Sequence, residues 1–331
     1  MSTKLEILSL LSDGGFHSGT DMGETLSVSR AAINKAIKLL SETGINIHRV
    51  SGRGYRLAEP MRLLDKKIII NFLPQRGEKY SDQLYLFDAI DSTSHFLSSL
   101  PDPKQGSGSV CVAEAQTGGR GRRGRTWVST PYSNIMMSMS WLFDRGPASL
   151  AGLSLAAGVA VVRALHDFGL SDVGLKWPND ILWNGRKLGG LLLDVQGEAA
   201  GPSRIVLGLG INVSIADKDA RHIDQPWIDM KGILNKVVDR NKLIALLIPE
   251  FEDMFSRFEI SGLSAFEQDW QAAHVYHGQT VQILRGDEVL VGIAEGIDAN
   301  GALKLRDANG KLHTCHSGEV SLRGTARETT D

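Results

Sequence analysis

The run Thr117-Gly118-Gly119-Arg120-Gly121-Arg122-Arg123-Gly124-Arg125-Thr126-Trp127 interleaves four glycines with four arginines. Glycine lets a backbone bend closely around a ligand, and guanidinium groups take phosphate or carboxylate oxygens in pairs, so the run suits an anionic ligand. The same composition also suits loose RNA binding by an RGG-like tract. Here the block occurs once, between the apolar strand-like stretches Val110 to Ala113 and Asn134 to Trp141. That placement favours a ligand-closing loop in a folded domain.

A second informative stretch is Leu175-Lys176-Trp177-Pro178-Asn179-Asp180-Ile181-Leu182-Trp183-Asn184-Gly185-Arg186-Lys187-Leu188-Gly189-Gly190. Asn184-Gly185 between two apolar runs predicts a type I′ hairpin, pairing Ile181 to Trp183 with Lys187 to Val195. Asp180 then stands at a strand end and Lys187 just past the turn. A carboxylate that can hold Mg²⁺ and a lysine that can neutralise a phosphate project from adjacent strands. A turn aspartate and a surface lysine are common, so the pair alone assigns nothing. Gly189 and Gly190, and the similar Gly208-Leu209-Gly210-Ile211-Asn212-Val213, mark strands that a flat ligand can approach. Asp91-Ser92-Thr93-Ser94 can cap a helix running through Leu100, or present small donors and acceptors to a ring or amide head group.

Several elements must position these groups. Leu84 to Phe87 reads as a strand, preceded by a short helix from Asp65 to Phe72. Ile135, Met137, Met139 and Trp141 alternate as a half-buried strand, and Ala148 to Phe168 reads as one long apolar helix stopped at Gly169. Before the boundary at Ala58-Glu59-Pro60 lies a small module. Leu5, Leu8 and Leu11, with Ile7 and Leu10, form a helical stripe ended by Asp13-Gly14-Gly15. Ser18 to Asp21 has capping-box spacing ahead of Met22 and Leu26. Ser29 can cap a third helix, Arg30 to Ser41, with Ile33, Ile37 and Leu40 buried and Arg30, Asn34, Lys35 and Lys38 elsewhere. Ile45 to Val50 and Tyr55 to Leu57 read as a hairpin carrying Arg49, Arg53 and Arg56. Three helices and a two-stranded basic wing make a winged helix-turn-helix, with the third helix as major-groove reader. Residues 27–60 hold six basic residues against two acidic ones, whereas the whole chain carries a net charge of only -2. The positive surface is therefore local. The expected DNA contacts are Ser29, Arg30, Asn34, Lys35 and Arg53; the alternative, a helical protein-interaction module, is disfavoured by the groove-reading residue types at the start of the capped third helix.

Past residue 270, Thr280 to Leu284, Val289 to Ile293, Leu303 to Leu305 and Lys311 to Thr314 alternate around Gly286-Asp287, Asn300-Gly301 and Asn309-Gly310. They predict a small antiparallel barrel. His313 and His316 beside Cys315 are too sparse for a metal site and read as solvated. Gly324 to Asp331 reads as disordered. The two cysteines, Cys111 and Cys315, show no CxxC spacing and fit inert core thiols of a cytoplasmic protein. No apolar signal core is apparent, and no run is expected to approach membrane-spanning length, so no membrane contact is expected.

Taken in order, Ser92-Thr93, Gln116 before the glycine-arginine run, Lys176-Trp177-Pro178-Asn179-Asp180, Arg186-Lys187-Leu188 and Gly210-Ile211-Asn212 closely resemble the biotin protein ligases. With the N-terminal module included, the resemblance extends over nearly the full length to the bifunctional kind that also represses the biotin operon. Each piece alone is weak; the set is specific. The resemblance implies an α+β multidomain chain: a winged helix-turn-helix at 1–60, a mixed α/β, class II synthetase-like ligase domain at 61–270, and an SH3-like β-barrel at 271–324. It implies ATP and Mg²⁺ as cofactors, with biotin activated to biotinyl-5′-AMP and passed to a lysine of the biotin carboxyl carrier protein of acetyl-CoA carboxylase. By position, Ser92, Thr93, Ser94 and Gln116 would bind the biotin head, and Arg120, Gly121 and Arg122 its carboxylate and the phosphate. Ser94 departs from the asparagine frequent in the family. Lys176 and Lys187 would stabilise phosphate charge, with Lys187 also on biotin, and Asp180 would place Mg²⁺ or the amine. Asn212 and Trp227 would lie near the adenylate. A homodimer promoted by the adenylate would read a two-fold operator. The alternatives are an adenylate-sensing regulator without turnover, a lipoate-type ligase and an RNA-binding protein.

Overall fold

A computed structural model describes residues 3–73, 77–101, 106–285, 288–316 and 320–324. The N-terminal module has three helices, α1 (Thr3–Leu11), α2 (Gly19–Thr25) and α3 (Arg30–Glu42), then the hairpin β1 (Ile47–Val50) and β2 (Gly54–Leu57). The caps read from the sequence form: Ser18 Oγ accepts from Asp21 N and Ser29 Oγ from Ala32 N. Ile7, Leu8 and Leu11 of α1 and Ile33, Ile37 and Leu40 of α3 are buried in one cluster that also takes Tyr55, Leu57 and, from far along the chain, Tyr132.

The remaining chain-order elements begin with α4 (Lys66–Asn71), α5 (Gly77–Gln83), β3 (Leu84–Phe87), α6 (Thr93–Ser98), β4 (Val110–Ala113), β5 (Ile135–Phe143) and α7 (Leu153–Phe168). Then come β6 (Val173–Lys176), β7 (Asp180–Trp183), β8 (Arg186–Gly197), β9 (Ser203–Ile211), α8 (Asp217–Ala220), α9 (Met230–Leu234), α10 (Arg240–Ser261) and α11 (Glu267–Ala273). Strands β3 to β9 make one seven-stranded sheet in the order β3-β4-β5-β9-β8-β7-β6, parallel only between β3 and β4. The hairpin at Asn184-Gly185 has both residues at positive φ, as a type I′ turn requires. It sets Asp180 opposite Gly190, with an irregularity between Ile181 and Leu182 that puts Leu182 opposite Lys187.

Three expectations change here. The long apolar helix is split: a 3₁₀ turn over Pro147–Leu150 precedes α7, which starts only after Gly152 at φ 82. A Cβ at Gly152 would stand 2.6 Å from Leu263 and φ there is positive, so the point where the helix is interrupted requires glycine. The span Pro147–Phe168 is also long and apolar enough to cross a membrane by length and composition, contrary to the expectation, but it is two-thirds buried as a core helix. Strand β5 is buried on both faces over Ile135 to Ser140 rather than half-buried. Its second face, Met136 and Ser138, is one wall of a cavity.

The C-terminal strands β10 (Thr280–Arg285), β11 (Glu288–Ile297), β12 (Leu303–Arg306), β13 (Leu312–Cys315) and β14 (Val320–Gly324) form an antiparallel sheet in the order β13-β12-β11-β10-β14. Among the described residues no pairing joins β13 to β14, so hydrogen bonding does not close the sheet into a ring. Gly324 pairs with Val281 instead of opening a disordered tail; residues 325–331 and the Gly286-Asp287 turn lie outside the described residues. His316 is exposed as expected, whereas His313 is only partly so and bonds Asp307 Oδ2 at 2.7 Å. The core of this sheet is continuous with that of the seven-stranded sheet, and Trp177 Nε1 donates to Gly301 O across the junction.

Candidate ligand site between the arginine loop and the central sheet

The hydroxyl shelf comes from the start of α6. Ser92 is its N-cap, accepting from His95 N, so this oxygen does the capping work. Thr93 and Ser94 follow in the first helical turn and are buried beside β5. Thr93 N and Oγ1 both donate to Gln116 Oε1, at 2.8 and 3.0 Å, and Ser138 Oγ lies 2.7 Å from Thr93 Oγ1 and 2.9 Å from Ser94 Oγ. Ser138 was not singled out from the sequence. Its signal was its place on the small-residue face of β5, opposite Gly208 of β9.

The arginine run is an ordered hairpin. Gly121 N donates to Arg125 O and Trp127 N to Gly119 O, and a 3₁₀ turn at Arg122–Gly124 carries Arg123 at φ 59. Its half-buried member, Arg122, donates from Nη1 to Asn179 Oδ1 at 3.3 Å. Burial lowers the Arg122 pKa, the nearby Asp180 carboxylate opposes the shift, and Arg123 adds to it. The guanidinium remains charged at any ordinary pH. Arg120 is exposed on the same hairpin.

Across the cavity, Lys187 Nζ lies 2.7 Å from Asp180 Oδ1 and Lys176 Nζ 3.5 Å from Oδ2. Burial alone would raise the Asp180 pKa, but Lys187 and Lys176 outweigh it and hold the carboxyl below the usual aspartate value. Lys187 is fixed at both ends. Its backbone N donates to Pro226 O and its carbonyl accepts from Ile228 N, while Nζ stands 5.6 Å from the Trp127 ring centroid. Asn212 spends its amide on Lys187 O and Ile228 O, both at 3.3 Å, so it braces the segment that carries Trp227. Trp127, which the sequence reading gave no role, packs over two glycines of the sheet. A Cβ on Gly210 would fall 2.4 Å from its indole and one on Gly190 3.5 Å away.

All the residues expected on biotin, phosphate or adenylate line one cavity of about 740 Å³, together with His222, Asp224 and Gln225, which the sequence did not suggest. Mg²⁺ is different. Both Asp180 oxygens face ammonium groups, and among the described residues no group of three or more His, Cys, Asp or Glu could hold a metal. The donor set does not fit a metal site built by the protein, so the expectation of Asp180 as metal holder is not met.

In the N-terminal module Arg30, Asn34, Lys35 and Arg53 are exposed. Asn34 Oδ1 is taken by the Tyr55 hydroxyl from the wing, and Arg53 stacks 4.1 Å over Phe16. One hydrogen bond thus ties α3 to the wing, beside the apolar cluster they share.

Residues 3–56 match the HTH domain family, 86–212 the Biotin/lipoate A/B protein ligase family, and 276–323 the Biotin protein ligase C terminal domain. The chain is 37% identical to the bifunctional ligase/repressor BirA of Escherichia coli over 98% of both chains. It is 33% identical to a biotin--[acetyl-CoA-carboxylase] ligase of Paracoccus denitrificans over 67% of this chain and 93% of that one. The biotin protein ligase from Aquifex aeolicus in complex with biotin and ATP superposes with a TM-score of 0.62 at 26% identity, covering 74% of this chain and 100% of that one. A shelf of hydroxyls facing a wall of cations, on a sheet shared with such relatives and behind a helix-turn-helix module, places this chain in the biotin protein ligase family.

Proposed function

We propose that the chain activates biotin with ATP and transfers it to a lysine of a biotin carboxyl carrier protein, that of acetyl-CoA carboxylase, and that it represses transcription through its N-terminal module. The observation that carries this is the opposition, in one cavity, of a hydrogen-bonded hydroxyl cluster to three cationic side chains, Arg122, Lys176 and Lys187. A biotin carboxylate oxygen attacks the α-phosphorus of ATP; the new acyl–oxygen–phosphorus link forms as the bond to pyrophosphate breaks. The carrier's lysine amine then attacks the acyl carbon, the amide forms, and AMP leaves. Two anions repel each other, and fixed cations lower that barrier by charge stabilisation and alignment. Thr93, Ser94, Ser138 and Gln116 suit the polar head of biotin, while Ser92 acts by capping α6. Mg²⁺ is expected to arrive with the nucleotide. Two free, buried cysteines agree with a cytoplasmic setting, and we place the domain boundaries near residues 60 and 270.

The test is biotin-dependent exchange of labelled pyrophosphate into ATP. Exchange with lipoate but not biotin would move the chain to the lipoate-type ligases, and adenylate binding without transfer would make it a sensor. For repression, one module offers about six basic groups, which gives limited affinity at physiological salt, so two half-sites and a homodimer promoted by biotinyl-5′-AMP are expected.

Gly210→Ala should weaken biotin binding at least fivefold by titration calorimetry. Its Cβ has no room beside Trp127, and overpacking of this kind costs about 1–3 kcal/mol. Binding within twofold of the parent would mean the indole yields freely.

A further inference from the structure

We infer that Tyr132 is a positioning residue that seats the DNA-binding module against the wall of the ligand cavity, so that cavity and module are coupled within one chain. The inference rests on the reading of the cavity as the biotin and ATP site.

Tyr132 belongs to the central sheet's side of the chain, between the arginine hairpin and β5, yet its ring is buried in the hydrophobic cluster of the N-terminal module. Its backbone sits at φ 61, a region an aromatic residue rarely occupies and holds only where its surroundings over-determine it. They do so here. Its N donates to Glu114 O at 2.8 Å, and its hydroxyl donates to Asp88 Oδ1 at 2.6 Å.

The segment around it is tied to the cavity at several points. Five residues earlier is Trp127. Thr130 Oγ1 donates to Asp219 Oδ2 and accepts from Ala216 N, fixing the segment after β9. Ser133 O accepts from Ser214 N, and Asn134 Oδ1 accepts from Val213 N, the residue after the cavity-lining Asn212. Other contacts also bridge the two parts: the Lys218 side chain lies against Gly44, Arg240 donates to Arg62 O, and Glu59 with Lys231 and Arg62 with Asp239 are exposed ion pairs of the kind that contribute little. The Tyr132 ring is the buried apolar member of this set, so a shift of the hairpin or of the Asn212 segment has a route to the module through it.

The test uses the full chain and three variants, Tyr132→Ala, Tyr132→Leu and Tyr132→Phe. Amide hydrogen exchange over residues 3–57 is followed with and without biotin plus ATP, with pyrophosphate exchange measured on the same samples. In the parent, ligand should slow exchange in the module. The Ala and Leu variants should lose at least fivefold of that slowing, the low end of ordinary couplings, while still exchanging pyrophosphate. Phe, which keeps the ring, should retain it. Ligand-dependent protection that is absent in the parent, or unchanged in Ala and Leu, overturns the inference while leaving the enzymatic reading in place. Loss of pyrophosphate exchange in the parent overturns the enzymatic reading instead, and ligand-free calorimetry then decides. One melting transition in the parent that splits in two in Leu or Ala supports the seat. The same pattern in parent and variants overturns it.

Discussion

Lys187→Ala is expected to slow biotin-dependent pyrophosphate exchange by about 100- to 1000-fold, the loss that follows removal of one preorganised electrostatic donor, while the fold persists. The side chain stands just past a hairpin turn, on the cavity wall, and is positioned rather than buried as core. Asp180 orients Nζ at 2.7 Å, the Trp127 ring flanks it, and its backbone is clamped between Pro226 and Ile228. Truncation removes a fixed charge from the place where phosphate charge develops. It also leaves the Asp180 carboxylate with Lys176 as the nearer remaining ammonium partner, at 3.5 Å. Because Asp180's folded pKa is depressed, its stabilising contribution is present above its unfolded value of about 3.9 and lost as pH falls through the lower folded one. The variant should lose part of that contribution, so its acid unfolding midpoint should move up in pH. Exchange within threefold of the parent would mean that Lys187 faces no phosphate.

The sequence made legible what local rules determine. The caps at Ser18 and Ser29, the apolar spacing of α3 and the Asn184-Gly185 turn each act over a few residues, and each appears where the residues predicted it. The turn then brought the strands of Asp180 and Lys187 side by side, while the irregularity between Ile181 and Leu182, which turn type does not predict, sets Asp180 opposite Gly190. Cavity-lining Arg122, Lys176 and Asn212 were legible for another reason, a motif set whose order resembles a known family.

What stayed hidden depends on contacts between distant segments. The glycine at the Gly152 break is packed against Leu263, more than a hundred residues later. Ser138 gains its place in the hydroxyl cluster only because α6 lies across β5. Trp127 read as the end of a loop, although the glycines that accept its indole, Gly190 and Gly210, had been read as room for a ligand. Asp180 as a metal holder followed from residue type, and only the two lysines converging on its oxygens show why that role does not suit it.

Arg240→Ala should destabilise the protein by about 3–5 kcal/mol, the usual cost of removing one partner of a buried ion pair. Arg240 opens α10 and meets Glu114, at the end of β4, in a two-pronged contact: Nη1 to Oε2 at 2.6 Å and Nη2 to Oε1 at 3.1 Å. Both side chains are 3% exposed. The same guanidinium donates to Asn134 O and Arg62 O, and Glu114 Oε1 also accepts from Leu64 N. One pair thus joins the segment entering the central sheet, the strand before the arginine hairpin and the strand after it. Truncation strands a carboxylate without its charge partner and leaves two carbonyls unbonded, whereas replacing both members by neutral residues of similar size is often tolerated. Urea unfolding should therefore show a large loss in Arg240→Ala and a clearly smaller one in the double variant Arg240→Met/Glu114→Gln. A single-variant loss below 1 kcal/mol would mean that water reaches the pair and that the junction is held by its apolar contacts instead.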